Sequence, residues 1–276
     1  MLKRRISLAT AAAGAALVAV TVAGCGTTAQ PIQVNLAASE VLAQAAQKTA
    51  DVSSYTVDAV VNVTDPQNGS GKAQGRMLFQ SKPELAVDLT IDSADFGDRS
   101  LPGGARVVLQ GDTVYLKVDA LNKVLGATKQ WVKVPLSEAG GDRAQIDQML
   151  GQVQQFDLAG VTEMVTASQD VKSVGTENVG GEDTTHYAGT FPVDAALKQL
   201  PAEKQERART NLAELKNVKF DIWVGADKLP RKVTMSGSEK GASMDAALMF
   251  KGYNEPVNIQ APPADQVGEL PKGTTN

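Results

Sequence analysis

The chain has 276 residues, with 27 Lys and Arg against 31 Asp and Glu, one Cys and one His. An acidic balance excludes a phosphate-binding nucleic-acid protein, which needs clustered Lys and Arg. A single Cys excludes an internal disulfide, and Cys or His metal sites are excluded by count. The length allows one sizeable core and no disulfide staple is needed to support it.

Met1-Leu2-Lys3-Arg4-Arg5 opens the chain with two arginines and a lysine, an Ala-rich apolar run follows, and the small pair Ala23-Gly24 leads into Cys25. A basic start, a short apolar middle and a small-residue cut site are the layout of a secretory signal rather than a spanning helix. Val22-Ala23-Gly24-Cys25 resembles the lipobox of bacterial lipoproteins. That resemblance implies cleavage before Cys25 and a diacylglycerol on its sulfur, and hence palmitate-type acylation. An ordinary secretory signal, or an uncleaved anchor, with a chance cysteine is the alternative. Residues 1–24 are therefore expected to be the signal peptide. What remains is 252 residues, with 24 basic against 31 acidic side chains and a net charge of −7. With so few basic residues, attachment to a membrane would have to come from the lipid on Cys25, and two acyl chains suffice for that.

Residues 25–36 are small and polar and read as a lipidated tether. The first helix is expected from a Ser39 cap, with Val41, Leu42, Ala45, Ala46 and Thr49 on one stripe. The period then becomes two. Tyr55, Val57, Ala59, Val61 and Val63 alternate with mostly polar residues, and Asp65-Pro66-Gln67-Asn68-Gly69 is a turn signal. Met77 and Phe79 mark a second strand, and Leu85, Val87, Leu89 and Ile91 a third. Asp92, Asp95 and Asp98 with Gly97 read as a solvated turn, since the order is wrong for a calcium loop and the closing Glu is missing. Gly111-Asp112 joins two short strands as a compact hairpin, and Gln130-Trp131-Val132-Lys133-Val134 adds another.

The middle turns helical. Ile146, Met149, Leu150, Val153 and Phe156 form one apolar stripe, which makes that helix the candidate lid. A short helix is expected near 161–167 and a charged one over 202–216. Strands return at 171–177 and 184–191, and three more end the domain: Phe220, Ile222 and Val224; Val233 and Met235; Met244, Ala246, Leu248 and Phe250. Residues 264–276 read as a flexible tail.

Many half-buried strands with a few amphipathic helices predict an α+β fold, a large curled antiparallel sheet with helices on one side. A curled sheet has a concave apolar face, and helices over its mouth can enclose an apolar cavity. The expected lining is Val57, Val61, Phe79, Val87, Leu89, Ile222 and Leu248 from the strands, with Ile146, Met149, Leu150, Val153 and Phe156 from the lid. These are aliphatic in a chain with only four Tyr, six Phe and two Trp, which suits acyl chains. The same pattern also builds a solid core, and composition does not separate the two.

Catalytic constellations are missing. No Gly-x-Ser-x-Gly and no phosphate-cradling Gly-rich loop occur, and His186 lies in a strand beside Tyr187. A non-enzyme without cofactors or metals is expected.

The lipobox, the tether, the helix leading into the Tyr55 strand, Gly111-Asp112-Thr113-Val114-Tyr115-Leu116-Lys117 with Trp131-Val132-Lys133-Val134, the Gly180-Gly181-Glu182-Asp183-Thr184-Thr185-His186-Tyr187 hairpin and Phe220-Asp221-Ile222-Trp223-Val224 together resemble the actinobacterial LppX/LprG/LprF-type lipoproteins. The resemblance runs from about Leu36 to Pro263, which makes 37–263 one expected domain. It implies a half-barrel like the LolA/LolB-type lipid-handling folds. It further implies a lipid anchor on the outer face of the cytoplasmic membrane and an apolar cavity for acylated lipid or glycolipid in transit across the envelope. A membrane transporter is then the candidate protein partner, and nucleic acid is none. The alternative is a structural or signalling lipoprotein with a filled core, acting through protein contacts.

Overall fold

The structure is a computed structural model. It describes residues 37–66, 69–96, 99–101, 104–118, 128–136, 168–190, 218–239 and 241–269, with 158, 162, 165 and 166. The signal and tether, the lid stripe at 146–156 and the charged helix at 202–216 lie outside the described residues. Residues Leu36–Asn276 form one compact unit.

Helix α1 (Ala38–Ala50) buries Val41, Leu42, Ala45 and Thr49, the stripe expected from the sequence. Its start differs from the expectation. Ala37 occupies the N-cap and Ser39 lies in the first turn, with Glu40 and Val41 N–H groups donating to the Ala37 carbonyl. Glu40 in the first turn and Lys48 in the last complement the helix dipole in place of a side-chain cap.

The strands are β1 (Ser54–Asp65), β2 (Gly69–Gln80), β3 (Ala86–Phe96), β4 (Arg99–Ser100), β5 (Ala105–Gln110), β6 (Thr113–Lys117), β7 (Trp131–Pro135), β8 (Lys172–Val179), β9 (Glu182–Thr190), β10 (Lys219–Gly225), β11 (Pro230–Glu239), β12 (Ala242–Lys251) and β13 (Val267–Glu269). They form one open sheet in the order β13-β7-β6-β5-β3-β2-β1-β12-β11-β10-β9-β8, with β4 paired only to β3. Such a sheet agrees with a half-barrel: one long meander whose two ends do not meet. The first half of the chain supplies one wing and the second half the other, and β1 and β12 join them at the centre.

Three expectations are corrected. The sheet is mixed, because β13 runs parallel to β7. Residues 264–269 are not tail: Ala264–Gln266 forms a 3-10 turn that feeds β13. Asp92 and Asp95 do not sit in a turn but within β3, where β2 offers pairing partners as far as Gly71. Local polarity reads as a turn, yet cross-strand hydrogen bonding extends the strand.

Register puts Tyr55, Val57, Ala59, Val61 and Val63 of β1 opposite Phe79, Met77, Gly75, Ala73 and Gly71 of β2 on one side and Phe250, Leu248, Ala246 and Met244 of β12 on the other. Because side chains alternate, these residues share one face, here called the inner face. Its core gathers Tyr55, Val57, Phe79, Phe220, Ile222, Val233 and Phe250 against Val41, Leu42 and Ala45 of α1, with Leu158 and Val165. A smaller cluster occupies the outer face. Ala86, Val108 and Trp131 are covered there by Val257 and Ile259, which lie between β12 and β13, and by Val267. The chain after β12 is a strap that crosses back over the outer face. Ser53 N–H and Oγ donate to Asn254 Oδ1, Ser54 Oγ to the Glu255 carbonyl, and Ala261 N–H to Gln110 Oε1.

Candidate functional site

An apolar recess of about 430 Å3 opens on the inner face, lined among the described residues by four adjacent strands and Leu158. β1 contributes Tyr55, Val57, Ala59 and Val61; β2 Ala73, Gly75 and Met77; β3 Leu89, Ile91 and Ala94; β12 Leu248 and Phe250. The inner end is closed by aromatic packing. The Tyr55 ring stacks on Phe79 at 4.9 Å and tilts against Phe250 at 6.1 Å, and Leu158 N–H donates to Tyr55 Oη at 3.3 Å.

Space exists here because the inward residues turn small. Ala59, Ala73, Gly75 and Ala94 stand where large side chains would fill the face, as Phe220 and Ile222 do elsewhere. Gly75 has a further reason to be glycine. A Cβ there would lie 2.3 Å from the Thr90 carbonyl oxygen, which no real contact allows. The pairing of β2 with β3 shifts register between Gln74 and Gly75. A bulge bends the strand and increases its twist, so the recess floor is shaped at that point.

Of the expected lining, Val57, Val61, Leu89 and Leu248 face the recess. Phe79 and Ile222 lie in the filled core at 3% and 1% exposure, and Val87 packs against that core. Ile146, Met149, Leu150, Val153 and Phe156 lie outside the described residues, as do Val22, Ala23, Gly24 and Cys25. The small positions do not stand out along the chain. Their signal was present in the same alternation, but a small residue facing inward looks the same whether a neighbour or a void lies above it.

A second recess, of about 530 Å3, mixes apolar side chains with several charged ones, most of which pair with each other. Arg231 lies 2.7 Å from Glu182 and 2.8 Å from Asp227, and its guanidinium sits 5.4 Å from the Tyr253 ring centroid. Burial pushes the Tyr253 phenol well above its ordinary value, so it stays a neutral donor to the Pro230 carbonyl. Asp58 takes Lys251 at 2.6 Å and also Arg76. Burial alone would raise the Asp58 carboxyl, but the hydrogen bonds and charges of Arg76 and Lys251 outweigh it and hold it below the usual range. Asp58, Glu182, Asp227, Arg231 and Lys251 are thus paired, and Glu255 lines the same space.

Elsewhere on the outer face, Trp223 is sandwiched. His186 stacks on it at 4.2 Å and 14°, and Lys232 Nζ lies 4.2 Å from the ring centroid. The His186 ring nitrogens meet Glu177 at 3.0 Å and Asp221 at 2.8 Å. The Trp223 indole N–H donates to Glu177 at 3.0 Å and is the largest cause of that carboxyl's lowered pKa, with His186 adding to it. This histidine, in strand β9 as expected, ties β8, β9 and β10 together. No group of three or more His, Cys, Asp or Glu among the described residues is arranged to hold a metal, and no described helix is long and apolar enough to cross a membrane.

No protein-family model matches the chain. An uncharacterized 31.2 kDa protein of Streptomyces griseus, from the rplA-rplJ intergenic region, is 29% identical over 239 residues, covering 81% of this chain and 76% of that protein. Among solved structures, the lipoprotein LppX of Mycobacterium tuberculosis is similar with a TM-score of 0.47 and 18% identity, over 81% of this chain and 98% of that one. LprF of Mycobacterium bovis gives 0.48 and 15%, over 82% and 96%. A LolA superfamily protein of Nitrosomonas europaea gives 0.28 and 10%, over 81% and 95%.

Proposed function

We propose that this protein is a lipid-anchored, non-enzymatic carrier. Diacylated Cys25 holds it on the outer face of the cytoplasmic membrane, and the inner-face recess takes acyl chain from a membrane lipid or glycolipid for movement through the envelope. The observation that supports the reading is the recess itself, an apolar space of about 430 Å3 floored by small residues beside the filled core. That volume falls in the range of ligand sites, roughly 300–1,000 Å3. An apolar wall needs no specific polar contact to hold hydrocarbon, because each buried CH2 contributes about 0.8 kcal/mol. The tether expected over residues 25–36 is only twelve residues long. It keeps the recess beside the membrane that supplies the lipid, and a membrane transporter is the natural partner to receive it.

The full chain, purified from membranes and extracted with organic solvent without hydrolysis, is expected to yield acyl lipid by mass spectrometry. A Cys25→Ala variant is expected to leave the membrane fraction and still take up a fluorescent fatty acid. No extractable lipid together with no uptake would sink this reading in favour of a filled-core lipoprotein that acts through its surface.

A further inference from the structure

We infer that the recess is a slot for a single acyl chain of about 16 carbons, inserted methyl end first toward Tyr55 and Phe250. The inference rests on the lipid reading above and adds the number, length and direction of the chains. Length comes from the strand. The recess follows β1 from Tyr55 to Val61, six residue steps, which at about 3.3 Å each is roughly 20 Å. An extended hydrocarbon with C–C bonds of about 1.5 Å and near-tetrahedral angles advances about 1.25 Å per carbon, so roughly 16 carbons span the slot.

Volume gives the same answer independently. An apolar cavity of about 150 Å3 accepts a six-carbon benzene, or about 25 Å3 per carbon. At that density the 430 Å3 recess takes roughly 17 carbons. Length and volume agree only if one chain fills the cross-section. Two chains side by side would need twice the volume at the same length.

Direction follows from burial. Tyr55 and Val57 are buried at 2% and 5%, while Ala59, Val61 and Val63, further along the same face, are only half-buried. The closed end is therefore the aromatic one, and the polar head group stays at the Val61, Ala73 and Ala94 end, next to water. Ala59, midway along β1 between Gly75 and Leu248, becomes the residue that sets accepted length. Gly75 cannot vary because of the Thr90 carbonyl.

The test is displacement of a fluorescent fatty acid from the full chain by saturated fatty acids and by their lysophospholipids, from about 8 to about 22 carbons. Affinity is expected to rise about fourfold per methylene and to level off near 16 carbons for both head groups. Ala59→Phe moves the break below about 8 carbons, while Val60→Phe, on the opposite face, leaves it in place. Ala59→Leu gives the same reading with a smaller side chain should the Phe variant not fold. Affinity that climbs unbroken past about 20 carbons, or two chains bound per protein at saturation, overturns the single-chain slot and leaves the lipid reading standing. If no length binds, the lipid reading itself fails.

Discussion

On the inner face Phe220, Ile222 and Val233 lose nearly all exposure, packed in one apolar cluster with Leu42 of α1. The outer face of the same strands carries Asp58, Asp88, His186, Trp223 and Lys232, each held by a named partner. Apolar burial is non-directional, so the inner face can be complete over α1 and still stop short over Ala59 and Gly75, leaving space at modest cost. A polar face has no such freedom, because an unpaired buried group there costs the desolvation of that group. The contrast fits a candidate ligand space inside, while the larger recess outside is lined by several of the protein's own ion pairs.

The contrast can be broken first on the inner side. Phe220 is fully buried, and Phe220→Ala is expected to cost about 3–5 kcal/mol in denaturant unfolding. A cost under 1 kcal/mol would mean that the inner face is loosely filled throughout, not only at the recess. The next largest effect belongs outside. Asp88 is 4% exposed and receives two hydrogen bonds from Arg106, which also lies over Trp131. Removing the guanidinium with Arg106→Ala leaves a buried carboxylate unpaired, for about 2 kcal/mol, since Arg106 is itself half in water. A neutral result would mean that water replaces the partner and that the outer face is less demanding than described.

The smallest effect is a pH dependence. Asp170 accepts from the Thr190 hydroxyl and N–H and from Ser168 Oγ, which tie the open end of the β8–β9 hairpin, and these bonds lower its pKa to about 2. A depressed folded-state value means stability that is present above the ordinary carboxylate range and lost as pH falls toward 2. Melting temperatures of the wild type and Asp170→Asn should therefore differ near neutral pH and converge toward pH 2. A gap independent of pH would assign the effect to something other than the carboxylate's charge.

Much of this architecture was legible because period-two alternation is a local property. Tyr55, Val57, Ala59 and Val61 announced both a strand and its buried face, and Gly111-Asp112 announced its hairpin. The outer cluster was not legible in that way. Val257 and Ile259 alternate with Asn258 and Gln260 over too few residues to stand out, and their partners Val108 and Trp131 lie more than a hundred residues away. β13 was missed for the same reason, since three residues form a strand only because β7 offers an edge.

By itself the sequence determined the strands, the amphipathic helix and the aliphatic character of the inner face, since each is written in neighbouring residues. Only the tertiary structure decided where that face is filled and where it is open. Phe79 and Val57 read alike along the chain, as do Ile222 and Leu89, yet Phe79 and Ile222 belong to the core while Val57 and Leu89 also face the recess. What separates them is what lies opposite after folding: α1 over one part of the sheet, and over the other a row of small residues whose missing side chains leave the space.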